Sequence, residues 1–202
     1  MPDRPPPSFT CFTASPPNEG PAPQERRVTP YRIDAIIHVC GATVDGLATA
    51  SPFWRIEQLG RPAAPGAPFL GSTQHLVYSS NDVRQDLARV SATESGPVAV
   101  LIPIRKSGAW WNLAQDERQQ YFVEGREPRH VAIGRRHAPR IYRRLYHSRY
   151  VPGSHWDFLT YFEFPDAERE TFKQLLSALR DTEQNPEWAF VDRESEIWLT
   201  KR

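Results

Sequence analysis

Apolar and polar residues alternate, or apolar residues form short runs, in several segments of strand length. Many of these residues are β-branched or aromatic, as is common in β-strands. The Pro- and Gly-rich stretch from Gly60 to Gly71 is predicted to be a loop between two strands. The predicted strands are Arg32–Cys40, Phe53–Glu57, Leu76–Ser80, Pro97–Ile104, Trp156–Phe164 and one strand or strand pair within Trp188–Leu199.

Helical spacing is clearest after Asp166, where Phe172, Leu175, Leu176 and Leu179 fall on one face. Asp is a residue type that caps helix N-termini, so a helix with one buried face is predicted there. Further helices are predicted over Asn81–Val90, Leu113–Glu124 and Pro139–Ser148. Strands and helices alternate along the second half, which predicts an antiparallel sheet with helices on one face, an α+β fold.

Composition divides the chain into a tail and two units. Residues 1–29 are crowded with Pro, Ser, Gly, Glu and Gln, and such a stretch buries too little apolar surface to offset the entropy of ordering it. A mobile tail is therefore predicted over residues 1–29. Residues 30–96 predict a first, reduced α+β unit, and residues 97–202 predict a second unit with a sharper pattern.

The overall charge indicates no polyanionic partner. The 202 residues carry a net charge of +1 and the pI is near 7.9, so only local clusters of charge can matter. Two widely spaced cysteines make a poor disulfide framework and indicate a reducing compartment. Neither a secretory signal nor a run of about 18 apolar residues is evident, and we expect a cytoplasmic protein with no membrane partner.

The segment from Lys106 to Ser148 concentrates adjacent tryptophans, basic residues and histidines. Indole rings cover apolar surface while Lys and Arg neutralise carboxylates, so this mixture is typical of a site for an anion or an anionic cofactor. The arginines between Arg135 and Arg149, with tyrosines among them, also allow a nucleic-acid-binding patch or a solvated helix face. The residue spacings do not favour a zinc site, a phosphate-binding loop or a serine hydrolase.

Three motifs and one histidine carry a family resemblance. The motifs are IPIRKSGAWW from Ile102 to Trp111, RRLYHS from Arg143 to Ser148 and DFLTYFE from Asp157 to Glu163, with His130 between the first two. In this order and spacing they resemble the haem b enzymes called chlorite dismutases, over most of residues 97–202. The resemblance implies conversion of chlorite to chloride and dioxygen, with haem b as the cofactor.

The resemblance also implies a fold and an assembly. Members of the family contain two ferredoxin-like modules, and the second module carries the haem. In this chain the first module is reduced, as in the short members of the family. Those short members form homodimers, so a homodimer without a nucleic-acid partner is expected.

Roles in the haem site follow from the same motifs. His130 matches the proximal ligand of the haem iron, and Arg143 matches the distal residue across the ring. His147 is not the matching histidine and is expected to be structural. Lys106, Trp110 and Trp111 match residues that hold or flank the haem propionates, and Leu145, Thr160 and Phe162 match the lining of the distal pocket.

Members of the family also use a carboxylate to accept the imidazole N–H of the proximal histidine. Glu183, at the end of the last helix, is the best match for this carboxylate, and Glu187 is the alternative. The interval between Trp111 and His130 is longer than in many members, and residues 125–129 resemble an inserted loop.

Other functions remain open at this stage. A coproporphyrin-haem decarboxylase shares the family fold, but it has a tyrosine near the propionates where this chain has the Trp110–Trp111 pair, and it lacks the distal arginine. A peroxidase-like activity, a non-catalytic haem-binding protein and an arginine-rich nucleic-acid-binding module are further alternatives.

Overall fold

The computed structural model describes residues 9–14, 28–43, 53–59, 69–72, 96–122 and 129–201. The strands in these ranges are β1 Phe9–Ala14, β2 Val28–Cys40, β3 Phe53–Leu59, β4 Phe69–Ser72, β5 Val98–Lys106, β6 Tyr142–His147, β7 Phe158–Phe164 and β8 Val191–Lys201. The helices are α1 Gly108–Asn112, α2 Gln115–Gln120, α3 His130–His137 and α4 Arg169–Arg180, with short 3₁₀-helices at Asp166–Glu168 and Pro186–Phe190.

The described strands form one closed antiparallel barrel in the order β1-β3-β2-β8-β5-β7-β6-β4. Strand β8 pairs with β2 on one side and with β5 on the other, so it joins the first half of the chain to the second. The barrel closes where β4 pairs with β1 and, at Ser72 and His147, with β6. This sheet with its helices confirms the predicted α+β fold, and the two ferredoxin-like modules share one barrel.

One hydrophobic cluster fills the barrel. Tyr31, Phe69, Leu101 and Tyr161 are all buried and come from β2, β4, β5 and β7. Side chains from strands all around a barrel can meet only in its interior. The barrel interior is therefore a packed core.

A second cluster lies on the outer face of the same sheet, beneath the helices. Ile102 of β5, Phe162 of β7 and Trp198 of β8 pack against Ile133 of α3 and Phe172 of α4. Strands β5 and β7 are consequently buried on both faces. Burial on both faces explains why their sequences are nearly continuous apolar runs rather than alternating ones.

The amphipathic helix predicted after Asp166 is present as α4, preceded by the first 3₁₀-helix. Phe172, Leu175 and Leu176 are buried, and Leu179 packs against the same cluster. The predicted face is therefore the one that contacts the sheet. The predicted strands over residues 32–40, 53–57, 97–104 and 156–164 correspond to β2, β3, β5 and β7.

The helix predicted over residues 139–148 is wrong, because Tyr142–His147 is strand β6. Arg143 and Leu145 share one face of this strand, and Tyr146 on the other face is buried in the barrel interior. Alternation with a period of two favours a strand, and pairing with β7 overrides the weak helix start at Pro139.

Strand β1 corrects part of the predicted tail. Phe9–Ala14 pairs with β3 and β4, so these residues belong to the barrel. The predicted loop from Gly60 to Gly71 ends before Gly71, since β4 begins at Phe69. Of the helix predicted over residues 113–124, the described residues form only α2. The remainder of residues 1–27, and the strand and helix predicted between residues 76 and 90, lie outside the described residues.

Two kinds of feature are missing from the described ranges. No helix there is both long enough and apolar enough to cross a membrane. No group of three or more His, Cys, Asp or Glu side chains in those ranges is arranged to hold a metal ion.

Replacing Phe172 by Ala tests the cluster beneath the helices. Phe172 is fully buried, and its ring contacts those of Phe162, Phe164 and Trp198 at centroid distances of 5.0, 4.6 and 5.5 Å. We expect Phe172→Ala to lower the free energy of unfolding by about 3–5 kcal/mol, because the lost ring leaves a cavity. Urea denaturation measures this change.

The neighbouring Lys173 provides the matched control. Its side chain is exposed and contacts only Glu170 among the described residues, at 3.5 Å. Lys173→Ala should change the free energy of unfolding by less than about 0.5 kcal/mol. Similar losses in the two variants would contradict the assignment of Phe172 to the core.

Candidate functional site

His130 begins helix α3, and its imidazole lies against a buried carboxylate. The ring atom Nδ1 is 2.7 Å from Oε2 of Glu187, although the ring N–H does not point straight at that oxygen. A carboxylate beside Nδ1 favours the tautomer that carries its proton there. The lone pair then lies on Nε2, which is the ring nitrogen that can bind a metal ion.

Lys106, at the end of β5, completes a charge network with these two residues. Its ammonium group pairs with Oε1 of Glu187 and donates a hydrogen bond to the Glu187 carbonyl oxygen at 3.3 Å. Both side chains are almost fully buried, at 4% and 7% exposure. A buried ion requires such close partners, because its desolvation is costly.

The charge state of Glu187 follows from these contacts. Burial alone would raise the pKa of its carboxyl group, but Lys106 and His130 outweigh burial and hold the pKa well below its usual value. Glu187 is therefore an anion at physiological pH. A fixed negative charge next to Nδ1 makes the imidazole a stronger electron donor through Nε2.

Trp110 lies beside Lys106 with an unsatisfied indole N–H. The Lys106 ammonium is 4.9 Å from the Trp110 ring centroid, and Tyr121, Phe122 and Phe190 pack around that ring. Trp110 is fully buried, and its Nε1 has no hydrogen-bond partner among the residues that the structure describes. A buried donor without an acceptor costs about 1–3 kcal/mol, so it is a group that a bound ligand can satisfy.

Trp111 differs from Trp110, because its indole N–H already has a hydrogen-bond acceptor. Its Nε1 donates a hydrogen bond to Oδ2 of Asp157 at 3.2 Å. The Arg149 guanidinium lies over the ring, 3.8 Å from its centroid, and pairs with Oδ1 of Asp157 at 2.8 Å. Asp157 also accepts the backbone N–H of Lys106 at 2.7 Å, so this one carboxylate links Trp111 to the end of β5.

The predicted distal residues come together on one face of the sheet. Arg143 is paired with Phe162, and Leu145 with Thr160, across strands β6 and β7. Paired residues in an antiparallel sheet share a face. Phe162 packs in the same cluster as Ile133 of α3, so this face is on the side of the helix that begins with His130.

Arg143 combines access to solvent with enclosure by protein. Its side chain is exposed, yet the surrounding protein desolvates the guanidinium and lowers its pKa, an effect that the charge of Glu187 opposes. In the part of the chain that the structure describes, Arg143 has no ion-pair or hydrogen-bond partner. An enclosed cation without a partner is suited to binding an anion.

The structure corrects the choice of carboxylate. Glu187 contacts His130, whereas Glu183 is exposed and its backbone N–H binds the carboxylate of Asp181 at 2.9 Å. Helix α4 ends at Arg180, and Pro186 starts a separate 3₁₀-helix that turns Glu187 inward. The helix end therefore carries Glu183 away from the site.

The roles predicted for Lys106 and Trp111 at the propionates stay predictions. In this structure the ammonium of Lys106 pairs with Glu187, and the indole N–H of Trp111 donates to Asp157. Trp110 keeps an available donor. Residues 125–128 of the predicted inserted loop lie outside the described residues, and Arg129 directly precedes α3.

His147, which was expected to be structural, lies on β6 with its ring 5.5 Å from that of Phe158. Asp157 and Arg149 were given no role in the site from the sequence, although Asp157 opens the third motif and Arg149 ends the run of arginines. The signal for Asp157 was a charged residue at the start of a mostly apolar strand, where a buried acid must find partners. No comparable signal identified Arg149.

Comparisons with known proteins agree on one family. A family model described as chlorite dismutase matches residues 23–195. The chlorite dismutase of Ideonella dechloratans is 31% identical over 137 residues, which cover 65% of this chain and 45% of that relative. The match thus spans less than half the length of that relative.

Solved structures show the same relationship. A dimeric chlorite dismutase from Nitrobacter winogradskyi superposes with a TM-score of 0.72 and 29% identity, covering 96% of this chain and 99% of that one. A mutant chlorite dismutase from Candidatus Nitrospira defluvii superposes with a TM-score of 0.63 over 97% of this chain and 90% of that one, and at 20% identity it supports the fold alone.

Replacing Glu187 by Gln tests the buried charge network through its pH dependence. Because the folded-state pKa of Glu187 lies below its ordinary value of 4.5, its stabilisation is complete above that value and is lost as the pH falls further. We expect Glu187→Gln to lower the free energy of unfolding by about 3–5 kcal/mol at pH 7, because Lys106 loses its counterion. Below about pH 4.5 the difference from the wild type should shrink.

Glu183→Gln is the matched control, since it makes the same change at an exposed position on the same connection. It should alter the free energy of unfolding by less than about 0.5 kcal/mol at any pH. Urea denaturation between pH 3 and pH 7 measures both variants. A Glu187→Gln penalty that stays constant across this range would contradict the assigned charge state.

Proposed function

Because this chain belongs to the chlorite dismutase family, we propose that it binds haem b through His130 and converts chlorite to chloride and dioxygen. The observation that carries the proposal is the contact of His130 Nδ1 with a buried, anionic Glu187. That contact directs the electron pair of the imidazole to Nε2. The same side of the sheet presents Arg143, a cation that has no ion-pair partner among the described residues.

The residues present fit a haem group. Nε2 of His130 would bind the iron, and the N–H of Trp110, which has no acceptor among the described residues, would donate to a propionate. Leu145, Thr160 and Phe162 provide a mainly apolar wall on the face of the sheet that carries Arg143. Haem b, when bound, supplies oxygen-atom-transfer chemistry at a redox-active iron.

Glu187 and Lys106 set the donor strength of the ligand. A full negative charge on Glu187 draws the Nδ1 proton towards it and enriches the imidazole in electron density. Lys106 limits this effect, because its ammonium shares the charge of the same carboxylate. The pair therefore holds the ring in one orientation and adjusts how strongly it donates to the iron.

Arg143 binds the anions of the reaction. Its planar guanidinium presents several donors and keeps its charge, so it orients chlorite and retains the chlorine oxyanion fragment until dioxygen has formed. Enclosure strengthens this attraction, because charges interact more strongly away from bulk water. The apolar neighbours Leu145 and Phe162 limit the water that could carry the fragment away.

Assembly and location are part of the same proposal. The relative from Nitrobacter winogradskyi is dimeric, and the superposition covers 99% of it. A chain that matches nearly all of that relative has room for the same surfaces, so we infer a homodimer. A cytoplasmic location is proposed with it.

His130→Ala tests the axial ligand. The purified protein reconstituted with haem b should show a Soret band and release dioxygen when chlorite is added, as followed with an oxygen electrode. His130→Ala should lose or loosen the haem, because the iron loses its protein ligand. A normal Soret band with normal dioxygen release from this variant would contradict the assignment.

His137→Ala is the control for this change. His137 lies at the other end of the same helix, and its Nδ1 is 3.0 Å from the Ile133 carbonyl oxygen. The substitution removes an imidazole from α3 without touching Glu187. Haem binding and dioxygen release should stay close to those of the wild type.

Arg143→Ala tests the distal cation. We expect the variant to keep its haem but to lose about 100-fold in kcat/KM for chlorite, because the anion is no longer held. It should also bleach sooner during turnover, because the oxyanion fragment escapes and attacks the protein. Dioxygen yield and the decay of the Soret band measure the two effects.

Arg144→Ala is the matched control, since it removes the same charge one residue away, where the side chain lies on the opposite face of β6 near Tyr146. It should leave both measurements close to wild type. If Arg143→Ala matched this control, Arg143 would have no part in the reaction.

A further inference from the structure

A second group of buried charges lies next to the network of Lys106, Glu187 and His130. Arg180, in the last turn of α4, donates to Oε1 of Glu194 at 3.0 Å and to Oε1 of Glu196 at 2.6 Å. The two carboxylate side chains are only 5% and 7% exposed. Trp198 completes the group by donating its indole N–H to Glu196 at 2.7 Å. One arginine thus pairs with two buried acids.

Strand pairing brings this group close to Lys106. Glu194 of β8 is paired with Ile104 of β5, and Lys106 lies two residues further along β5, past a register shift between Arg105 and Lys106. Diagonal neighbours across a strand pair have backbones about 7–8 Å apart, within reach of long side chains. Lys106 is therefore flanked by the carboxylates of Glu187 and Glu194.

Electrostatics support the same adjacency. Burial raises the pKa of Glu194, and the positive charges of Arg180 and then Lys106 oppose that rise. Lys106 thus interacts with a carboxylate beyond its direct partner Glu187. How fully it neutralises Glu187 depends on how well Arg180 neutralises Glu194.

We propose that Arg180 is a positioning residue for the proximal side of the site: by satisfying Glu194 and Glu196, it reserves the charge of Lys106 for Glu187. The inference rests on the proposed function, in which His130 binds the haem iron. Arg180 touches neither His130 nor Glu187 among the described contacts, so it acts through Lys106.

Removal of Arg180 has a consequence with a definite sign. Glu194 then attracts Lys106 more strongly, and Glu187 is left with more of its negative charge. His130 becomes a stronger donor, which stabilises ferric over ferrous iron. Arg180→Met should therefore lower the haem reduction potential, with an equilibrium shift of up to about tenfold, or about 59 mV for one electron.

The test is spectroelectrochemical titration of the haem-reconstituted protein at pH 8. Glu194→Gln should raise the haem reduction potential, because Glu194 then no longer competes with Glu187 for the positive charge of Lys106. In the double variant Arg180→Met/Glu194→Gln, the lowering caused by Arg180→Met should disappear. Arg180→Lys, which keeps the charge, should lie close to wild type.

Arg169→Met is the matched control. Arg169 begins the same helix and carries the same charge, but it pairs with the exposed Asp166 at 2.6 Å and meets the group only at the ring of Trp198, 5.6 Å from its centroid. Its loss should leave the potential unchanged, since it does not contact Glu194 or Glu196 among the described residues. An equal shift in Arg169→Met would mean that Arg180 acts only through the overall charge of the protein, and it would overturn the inference.

Other outcomes also decide the matter. An unchanged or raised potential in Arg180→Met, or a lowering that persists in the double variant, would overturn the inference. If Arg180→Met fails to fold, Glu194→Gln is the deciding variant, because Gln keeps the shape of Glu. A raised potential in Glu194→Gln supports the link between Glu194 and Lys106, and an unchanged potential overturns it. The potential requires no chlorite turnover, whereas the proposed function fails separately if His130→Ala still binds haem normally.

Discussion

The buried carboxylate of Glu187 is the interaction on which the site depends. It lies between Lys106 and His130 with almost no access to water, and removing Lys106 would leave its charge without a counterion. Its three members come from the end of β5, the start of α3 and the 3₁₀-helix before β8. One ionic contact therefore fixes how three separate parts of the chain meet, and it also determines which ring nitrogen of His130 is left for a ligand.

The barrel places this network and the predicted distal residues on one outer face of its sheet. Strands β8, β5, β7 and β6 are consecutive neighbours, so the outer face of one sheet runs from Lys106 to Arg143. The inner face of the same strands is filled by the barrel core, which makes the sheet a rigid support. Asp157 reinforces the connection, because it binds both the Lys106 backbone and the Trp111 indole. The two sides of the site are thus carried by one rigid layer rather than by separate loops.

Local patterns predicted the parts of the fold whose periodicity is strong, such as α4 and the apolar strands β5 and β7. They were wrong for β6, where the predicted helix rested on a weak start signal at Pro139 and pairing with β7 forms a strand instead. Within the site, the motifs led to His130 and Arg143, which the structure places on the same side of the sheet. The predicted partner of His130 was wrong, because the choice between Glu183 and Glu187 depends on where α4 ends. In the sequence, only Pro186 indicated the position of that end.

The central claim is that Glu187 prepares Nε2 of His130 to bind haem iron opposite Arg143. A crystal structure of the haem-reconstituted protein tests it most directly. The account predicts iron bound to Nε2 of His130, with Glu187 within hydrogen-bonding distance of Nδ1 and the Arg143 guanidinium on the opposite face of the ring. Iron bound by His147 or by any other side chain, or Arg143 on the same face as His130, would contradict it.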